Sequence, residues 1–334
     1  MKIKVLGAGF DSLPKKDLRM GGHEFVYDPA CEGYDWLVVY DELPMPRERL
    51  RCPRERTILC TWEPTSIKSY SRAYTRQFGH LLTNRPPEAE RHPHYHLGRG
   101  YFLWFAYGFP RHGESLDKTK LLSAVCSSKQ MRHTRHHDRF QLVTDLARAV
   151  PEMDWYGRGV RPLVRKEDAL LPYKYHLAVE NHIGVHHWTE KFADAILCEC
   201  LPFYAGDPAL TEIFPADAFI PIPIDDPAEA VRIVKAAIAD DEYSRRREAI
   251  LEAKRLILTK YNFWHQVIEV IESSRDPGDP FAVAVRPSFV YARRALRRHS
   301  LQALCEDVTS HLGRFVRNAF TPAEAGRGSG EGGR

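Results

Sequence analysis

Short, dense apolar runs that stop at glycine, proline or charge recur along this chain, and they point to a layered α/β architecture. Lys2 to Leu6 is one such run, ending at Gly7-Ala-Gly9. Asp35-Trp-Leu-Val-Val-Tyr40 and Thr57-Ile-Leu-Cys-Thr61 are others. Their apolar positions are consecutive rather than alternating, which is how a strand reads when both faces of a parallel sheet are covered. Leu81 and Leu82 mark a further strand. Helical or loop segments separate these runs, as the layered α/β class requires. The opening strand and its glycines lack the full dinucleotide fingerprint, so on their own they do not specify a ligand.

The 334 residues suit two domains of ordinary size. Arg85 to Arg99, with His92, His94 and His96 among prolines, reads as a loop. Histidines two apart would share one face of a strand and suit a metal, but the proline setting favours the loop. The aromatic-rich stretch from Tyr101 to Phe109 reads as packing between domains, or else as rings that stack on sugar faces. The first domain is expected over 1–117. A second, expected over 118–272, opens with a strand at Leu121 to Ser127 and an amphipathic helix from Asp138 to Val150. Strands are expected at Met153 to Tyr156, Tyr175 to Val179 and Leu201 to Tyr204, with a helix from Trp188 to Leu197 between the last two. Phe219 to Ile224 carries two prolines and reads as an extended edge segment. Asp226 before Pro227 is helix-start chemistry and predicts a helix over Ala228 to Ala239. Glu242 to Leu258 reads as one long charged helix, and Phe263 to Ile271 as another. Residues 273–321 form a basic extension whose Arg293, Arg294, Arg297 and Arg298 present either a solvated helical face or an anionic-membrane contact. The glycine-rich tail, 322–334, is expected to be disordered.

Charge and cysteine usage exclude some classes. The 48 basic and 44 acidic residues nearly cancel to +4, so no nucleic-acid partner is expected. No signal peptide is legible after MKIKVLGAGF, and no apolar run reaches the roughly 18 residues of a membrane span. A cytoplasmic protein is expected, soluble or peripheral on the inner membrane. The seven cysteines are scattered and odd in number, unlike a disulfide scaffold. Cys198 and Cys200 form C-x-C without two further close ligands, so no zinc site is expected there.

Chemistry concentrates between Tyr173 and Asp226. Tyr173-Lys-Tyr-His-Leu-Ala-Val-Glu-Asn181 is followed by Thr189-Glu-Lys191, then by Leu201-Pro-Phe-Tyr-Ala-Gly206, then by Phe219-Ile220 ahead of Asp225-Asp226. In this order the blocks resemble glycosyltransferase family 10, the α-1,3/1,4-fucosyltransferases. Its hallmark runs Y-K-F-x-L-x-F-E-N, T-E-K, V-P-V-x-x-G and F-I-x-x-x-D-F. Upstream, Arg139-Phe-Gln-Leu-Val-Thr-Asp-Leu146 and Asp154-Trp-Tyr-Gly157 match two further family segments. The resemblance covers about residues 121 to 226.

The resemblance implies a GT-B fold, with two Rossmann-like domains facing across a cleft, the first on the acceptor side and the second holding a GDP-sugar. It also implies inverting transfer of L-fucose from GDP-fucose. That reaction needs a carboxylate to take the acceptor proton and cations for the departing diphosphate around an oxocarbenium-like centre. By this resemblance Glu63, at a strand end before Pro64, is the base. Arg139 holds diphosphate oxygens through its fork, with Arg135 or Arg132 as substitutes if the loop is shifted. Lys191 is the second cation and Glu190 meets ribose or fucose hydroxyls. Asn181 hydrogen-bonds the donor, and Glu180 does the same or holds the loop. Tyr173 and Lys174 line the guanosine side.

Two positions depart from the family pattern. His182 follows E-N where a small residue is usual, and His187 stands where the family has a tyrosine. Histidine still donates a hydrogen bond to phosphate and adds charge when protonated. His182, His186 and His187 have no carboxylate at ligand spacing, so no metal site is assigned, although a divalent ion is compatible as a stimulant. The expected acceptor is an oligosaccharide or lipid-linked glycan with a GlcNAc- or glucose-like unit on a bacterial surface polysaccharide. The alternatives are another GDP-sugar as donor, or a non-catalytic protein that binds nucleotide sugar or glycan.

Overall fold

A computed structural model describes residues 1–7, 18–65, 67–99, 116–128, 135–274 and 288–298, together with positions 300, 302, 305 and 306. The aromatic stretch from Tyr101 to Phe109, Arg132, the glycine after Ala8 and the tail 322–334 lie outside the described residues.

The consecutive apolar runs become the middle of two sheets. The first contains β1 (Lys2–Gly7), β2 (Leu18–Met20), β3 (His23–Val26), β4 (Trp36–Tyr40), β6 (Thr57–Thr61), β7 (His80–Thr83) and β8 (Tyr95–Leu97), in the order β2-β3-β1-β4-β6-β7-β8. Every pairing is parallel except β2 with β3. Those two form a hairpin whose turn is Gly21-Gly22, at φ of 56° and 76°. Two consecutive positive φ values suit a two-residue hairpin turn, and glycine reaches them without steric cost. Residues of β4 and β6 such as Leu37, Val38, Ile58 and Leu59 have no exposed surface. Short helices α1 (Arg72–Thr75) and α2 (Pro87–Glu90) join the later strands.

The second sheet contains β9 (Lys120–Val125), β10 (Met153–Tyr156), β11 (Tyr173–Val179), β12 (Leu201–Ala205) and β13 (Ile220–Pro221), in the order β10-β9-β11-β12-β13 and parallel throughout. Helices α3 (His136–Ala149), α4 (Glu190–Leu197), α5 (Pro227–Ala239), α6 (Glu242–Arg245) and α7 (Arg247–Thr259) belong with it. Asp226 caps α5 as expected, its carboxylate accepting from the Glu229 amide at 3.0 Å. Pro202 is tolerated inside β12 because β13 pairs only from Phe203 onward.

Several sequence expectations need correction. Residues 85–99 are not one loop: α2 occupies part of them, and β8 adds to the sheet edge. His96 lies on β8, with its Nε2 3.1 Å from His80 Nδ1. Among the described residues no group of three His, Cys, Asp or Glu side chains is arranged to hold a metal. The predicted long helix over Glu242 to Leu258 is broken into α6 and α7 at Arg246, which has φ of −101° and ψ of 11°.

Helix α8 (Phe263–Ser273) follows the second sheet in sequence but packs on the first lobe. Trp264 Nε1 donates to Tyr27 Oη at 2.6 Å, Phe263 meets Tyr40 edge-on, and Gln266 Oε1 accepts from the Arg99 amide at 2.9 Å. The described part of the basic extension also packs on that lobe, and it includes a strand. β14 (Phe289–Tyr291) pairs antiparallel with β5 (Arg47–Arg49), and Val290, Ala292 and Leu296 of this segment, the last on α9 (Arg293–Leu296), join its core. No described helix is long and apolar enough to cross a membrane.

Candidate functional site

Counted within the second sheet, the strand order is 2-1-3-4-5, so the chain reverses direction between β9 and β11. In open parallel sheets the crevice beyond the strand ends at such a switch point is where ligands bind. A pocket of about 320 Å³ opens there. Val125, Cys126 and Ser127 line it from the end of β9, and Leu177, Val179 and Asn181 from the end of β11. The N-terminus of α3 reaches it through His136 and Arg139. That helix has no side-chain cap, and uncapped amides at a helix N-terminus favour an anion.

Among the described residues, four cations line the pocket, Arg139, Arg158, Lys166 and Lys191, against the single carboxylate of Glu190. Arg139 is 7% exposed. Its Nη1 donates to Asn181 Oδ1 at 2.5 Å, while its Nε is buried with no hydrogen-bond partner among the described residues. Asn181 thus orients the fork of Arg139 and leaves donors over for a ligand. Arg158 stands in a loop fixed by its neighbours. Gly157 has φ of 144°, and a Cβ there would lie 2.6 Å from the Cys126 carbonyl carbon. The Ser128 amide donates to Arg158 O at 3.0 Å, tying the loop after β10 to the loop after β9.

The T-E-K block starts α4. Thr189 is its N-cap, accepting from the Lys191 amide at 3.3 Å. Phe192, Ala193, Ile196 and Leu197 then bury the apolar face, with Phe192 and Phe214 edge-on or tilted around Trp188. Lys191 Nζ lies 3.0 Å from Glu190 Oε1 and 3.4 Å from Glu180 Oε2. Burial works against its charge, and Glu190 and Glu180 outweigh that and keep it protonated. Burial likewise works to raise the Glu190 carboxyl, but Lys191 and Lys166 hold it down to about 2.

Glu180 does not face the pocket. It is wholly buried, accepts from the Thr189 amide at 2.9 Å and from the Thr189 hydroxyl at 2.7 Å, and so holds the start of α4. Of the two roles expected for it, donor contact or loop holding, this geometry supplies the second. Gly206 makes room for it, since a Cβ at 206 would lie 2.6 Å from Glu180 Cγ. The glutamate of E-N, the threonine of T-E-K and the glycine of the third block are therefore one packing unit.

Glu63 lies just beyond β6 on the first lobe. Its carbonyl accepts from Arg85 Nε and Nη2 at 3.1 and 2.6 Å, which fixes the backbone at the strand end. Burial and the nearby Asp41 raise its carboxyl above the ordinary value, Lys68 opposes this, and Glu190 and Lys191 also act on it. Glu63 thus feels two charges that belong to the second lobe. His187 also links the two lobes, its Nδ1 3.1 Å from Asn84 Nδ2 beyond β7. It does not line the pocket, and burial, His182 and Lys191 lower its ring to about 3. The expected added charge from protonated His187 is therefore absent at neutral pH.

Tyr173 and Lys174 are the expected site residues that the fold sets apart. They stand at the start of β11, whereas the pocket lies beyond its end. Tyr173 Oη donates to Asp154 Oδ2 at 2.6 Å and is wholly buried; Lys174 pairs with Asp241 at 3.9 Å. Arg135 pairs with Asp138 and Asp225 and does not line the pocket. Conversely, motif reading missed Arg158, Lys166, His136 and His176. The glycines on either side of Arg158 were a legible signal for a strand-end loop; Lys166 had none.

The residues 115–244 match the sequence model of Glycosyltransferase family 10 (fucosyltransferase) C-term. A putative fucosyltransferase-like protein of Arabidopsis thaliana is 30% identical over 127 residues, 37% of this chain and 24% of that protein. This chain thus spans about a quarter of the length of that curated relative. A crystal structure of an α1,3-fucosyltransferase with GDP-fucose is similar with TM-score 0.48 and 16% identity, over 85% of this chain and 92% of that one. Another α1,3-fucosyltransferase crystal structure gives 0.49 and 16%, over 82% and 89%.

Proposed function

We propose, from the match of residues 115–244 to the glycosyltransferase family 10 model, that this chain transfers L-fucose from GDP-fucose to a glycan hydroxyl with inversion. The observation that carries the reading is the switch-point pocket of that segment, which Arg139, Arg158, Lys166 and Lys191 line together. In this reading the two lobes are the halves of a GT-B enzyme, with the acceptor on the Glu63 side.

The two carboxylates divide the work because their environments differ. Glu63, with its raised affinity for protons, takes the proton of the attacking hydroxyl as that oxygen bonds to the sugar's anomeric carbon. Glu190, held ionised, is a poor base; it accepts hydrogen bonds from donor hydroxyls and faces the positive charge that develops on the ring. The bond from the anomeric carbon to the diphosphate oxygen breaks with its electron pair going to GDP, whose new charge Arg139 and Lys191 receive. Asn181 orients Arg139, and Glu180 orients Lys191 through Thr189. No step in this scheme is assigned to a metal. A surface-polysaccharide acceptor, lipid-linked or free, with a GlcNAc- or glucose-like unit, used at the cytoplasmic face of a membrane, completes the proposal.

Calorimetric titration of the purified chain with GDP-fucose, GDP-mannose and UDP-galactose tests the donor. Selective binding of GDP-fucose is expected. Binding of GDP-mannose alone moves the reading to a different GDP-sugar, and failure of folded protein to bind either GDP-sugar overturns it. Turnover of bound GDP-fucose to GDP with a glycan acceptor separates an enzyme from a protein that only binds.

A further inference from the structure

One pocket cation lies outside the motif blocks and rests on a carboxylate with no other visible partner. Lys166 enters from the turn Lys166–Ala169 and lines the pocket. Its ammonium pairs with Asp194 on α4, one helical turn beyond Glu190. Asp194 is wholly buried, and its Oδ1 has no hydrogen-bond partner among the described residues. A buried carboxylate satisfied on one oxygen is costly, and a buried ion pair is a weak source of net stability. What such a pair does provide is a fixed position for the charge, and an incompletely satisfied buried group often marks function. Burial pushes the Asp194 carboxyl up to about 7, with Lys166 the first charge working against that. The Lys166 side chain remains 29% exposed and lines the pocket, acting also on Glu190 and His176.

We propose that Lys166 is a further donor-binding residue, contacting the diphosphate beside Arg139 and Lys191, and that Asp194 is the positioning residue that holds its ammonium toward the pocket. This rests on the GDP-sugar reading above. Although Asp194 and Glu180 pair with Lys166 and Lys191 from outside the lining, the described cations at the pocket still outnumber the carboxylates, an excess that suits a diphosphate and not a neutral sugar.

The test compares GDP with GMP by calorimetry on the full chain and on Lys166→Met, Lys166→Arg, Asp194→Asn and the Lys166→Met/Asp194→Asn pair. Near-ultraviolet circular dichroism establishes that each is folded. Lys166→Met is expected to weaken GDP about tenfold and GMP less, while Lys166→Arg recovers most of the loss. Asp194→Asn is expected to weaken GDP by roughly threefold alone and to add almost nothing in the Lys166→Met background, as residues acting through one another do. Equal losses for GDP and GMP, or GDP affinity unchanged by Lys166→Met, overturn the role of Lys166. A full-size Asp194→Asn effect in the Lys166→Met background overturns the positioning role. If Asp194→Asn does not fold, the Lys166 variants still decide the first half and an Asp194→Ser variant serves for the second. Failure of the unsubstituted chain to bind GDP at all is a different result, and it overturns the GDP-sugar reading along with this one.

Discussion

The two sheets share one construction and carry opposite chemistry. Each has a parallel body, the first with β2 added antiparallel at its edge, and in each the second parallel strand lies beside the first while later strands continue on the other side, so each has a switch point beyond its strand ends. Beyond the first sheet stand carboxylates: Asp41 and Glu42 after β4, near Lys68, and Glu63 after β6. Beyond the second stand the four pocket cations. Topology alone therefore offers two equivalent crevices, and the side chains at the strand ends make one fit to receive a proton and the other to receive an anion.

The contrast breaks most visibly at Glu63. Glu63→Gln is expected to lower kcat by roughly 10²–10⁴-fold while leaving GDP affinity within about twofold, measured by turnover and by calorimetry on the same preparation. In the unsubstituted chain the same group sets a pH limit. Its carboxyl is raised by burial and Asp41, so activity should fall as pH drops through a value above the ordinary glutamate range near ~4.3, and a pH profile of kcat/KM reads that limb. An acid limb at or below the ordinary range removes Glu63 as the base.

Arg139→Met tests the other crevice and should have the mirror effect: GDP affinity falls roughly ten- to a hundredfold by calorimetry. Equal loss of kcat with no loss of GDP affinity would place Arg139 outside the diphosphate site. Gly206→Ala asks whether the ordered motif blocks are one packing unit. Its Cβ must displace buried Glu180 or Tyr204, so a loss of about 1–3 kcal/mol in chemical denaturation is expected, with weaker GDP binding as α4 shifts. A stability change below about 0.5 kcal/mol means that the neighbours yield freely. Lys174→Ala should do least, changing GDP affinity by less than about twofold, because its partner Asp241 lies at the far end of β11 and exposed pairs contribute little.

Much of the second lobe was legible because its signals are local. Apolar runs of strand length and the Asp226 cap act over a few residues, so β9 to β12 and the start of α5 follow from reading the chain in order, whereas the helix expected from Trp188 begins at Glu190 behind the Thr189 cap. The single predicted helix over Glu242 to Leu258 failed for a related reason: nothing in its charged sequence marks the break at Arg246. β8 was missed because its residues are polar and its partner, β7, is what makes them a strand.

The site divides along the same line. Arg139, Asn181, Glu190 and Lys191 could be singled out by residue type and block order, and the fold gathers them in one pocket. Glu180 and Tyr173 were equally prominent in sequence, yet a strand carries one into the core behind Thr189 and leaves the other at the wrong end. By itself the sequence determined the layered α/β class, the most apolar strands and the Asp226 cap, since these depend on neighbours a few positions apart, while the residues proposed for a diphosphate site came from the resemblance of the ordered blocks. Only the tertiary structure decided which polar and charged groups meet: Lys166 with Asp194, Asn84 with His187, and Glu63 near enough to Glu190 and Lys191 to feel their charge. Those encounters join residues far apart in the chain, and electrostatic interaction and burial depend on distance in space, which sequence separation does not encode.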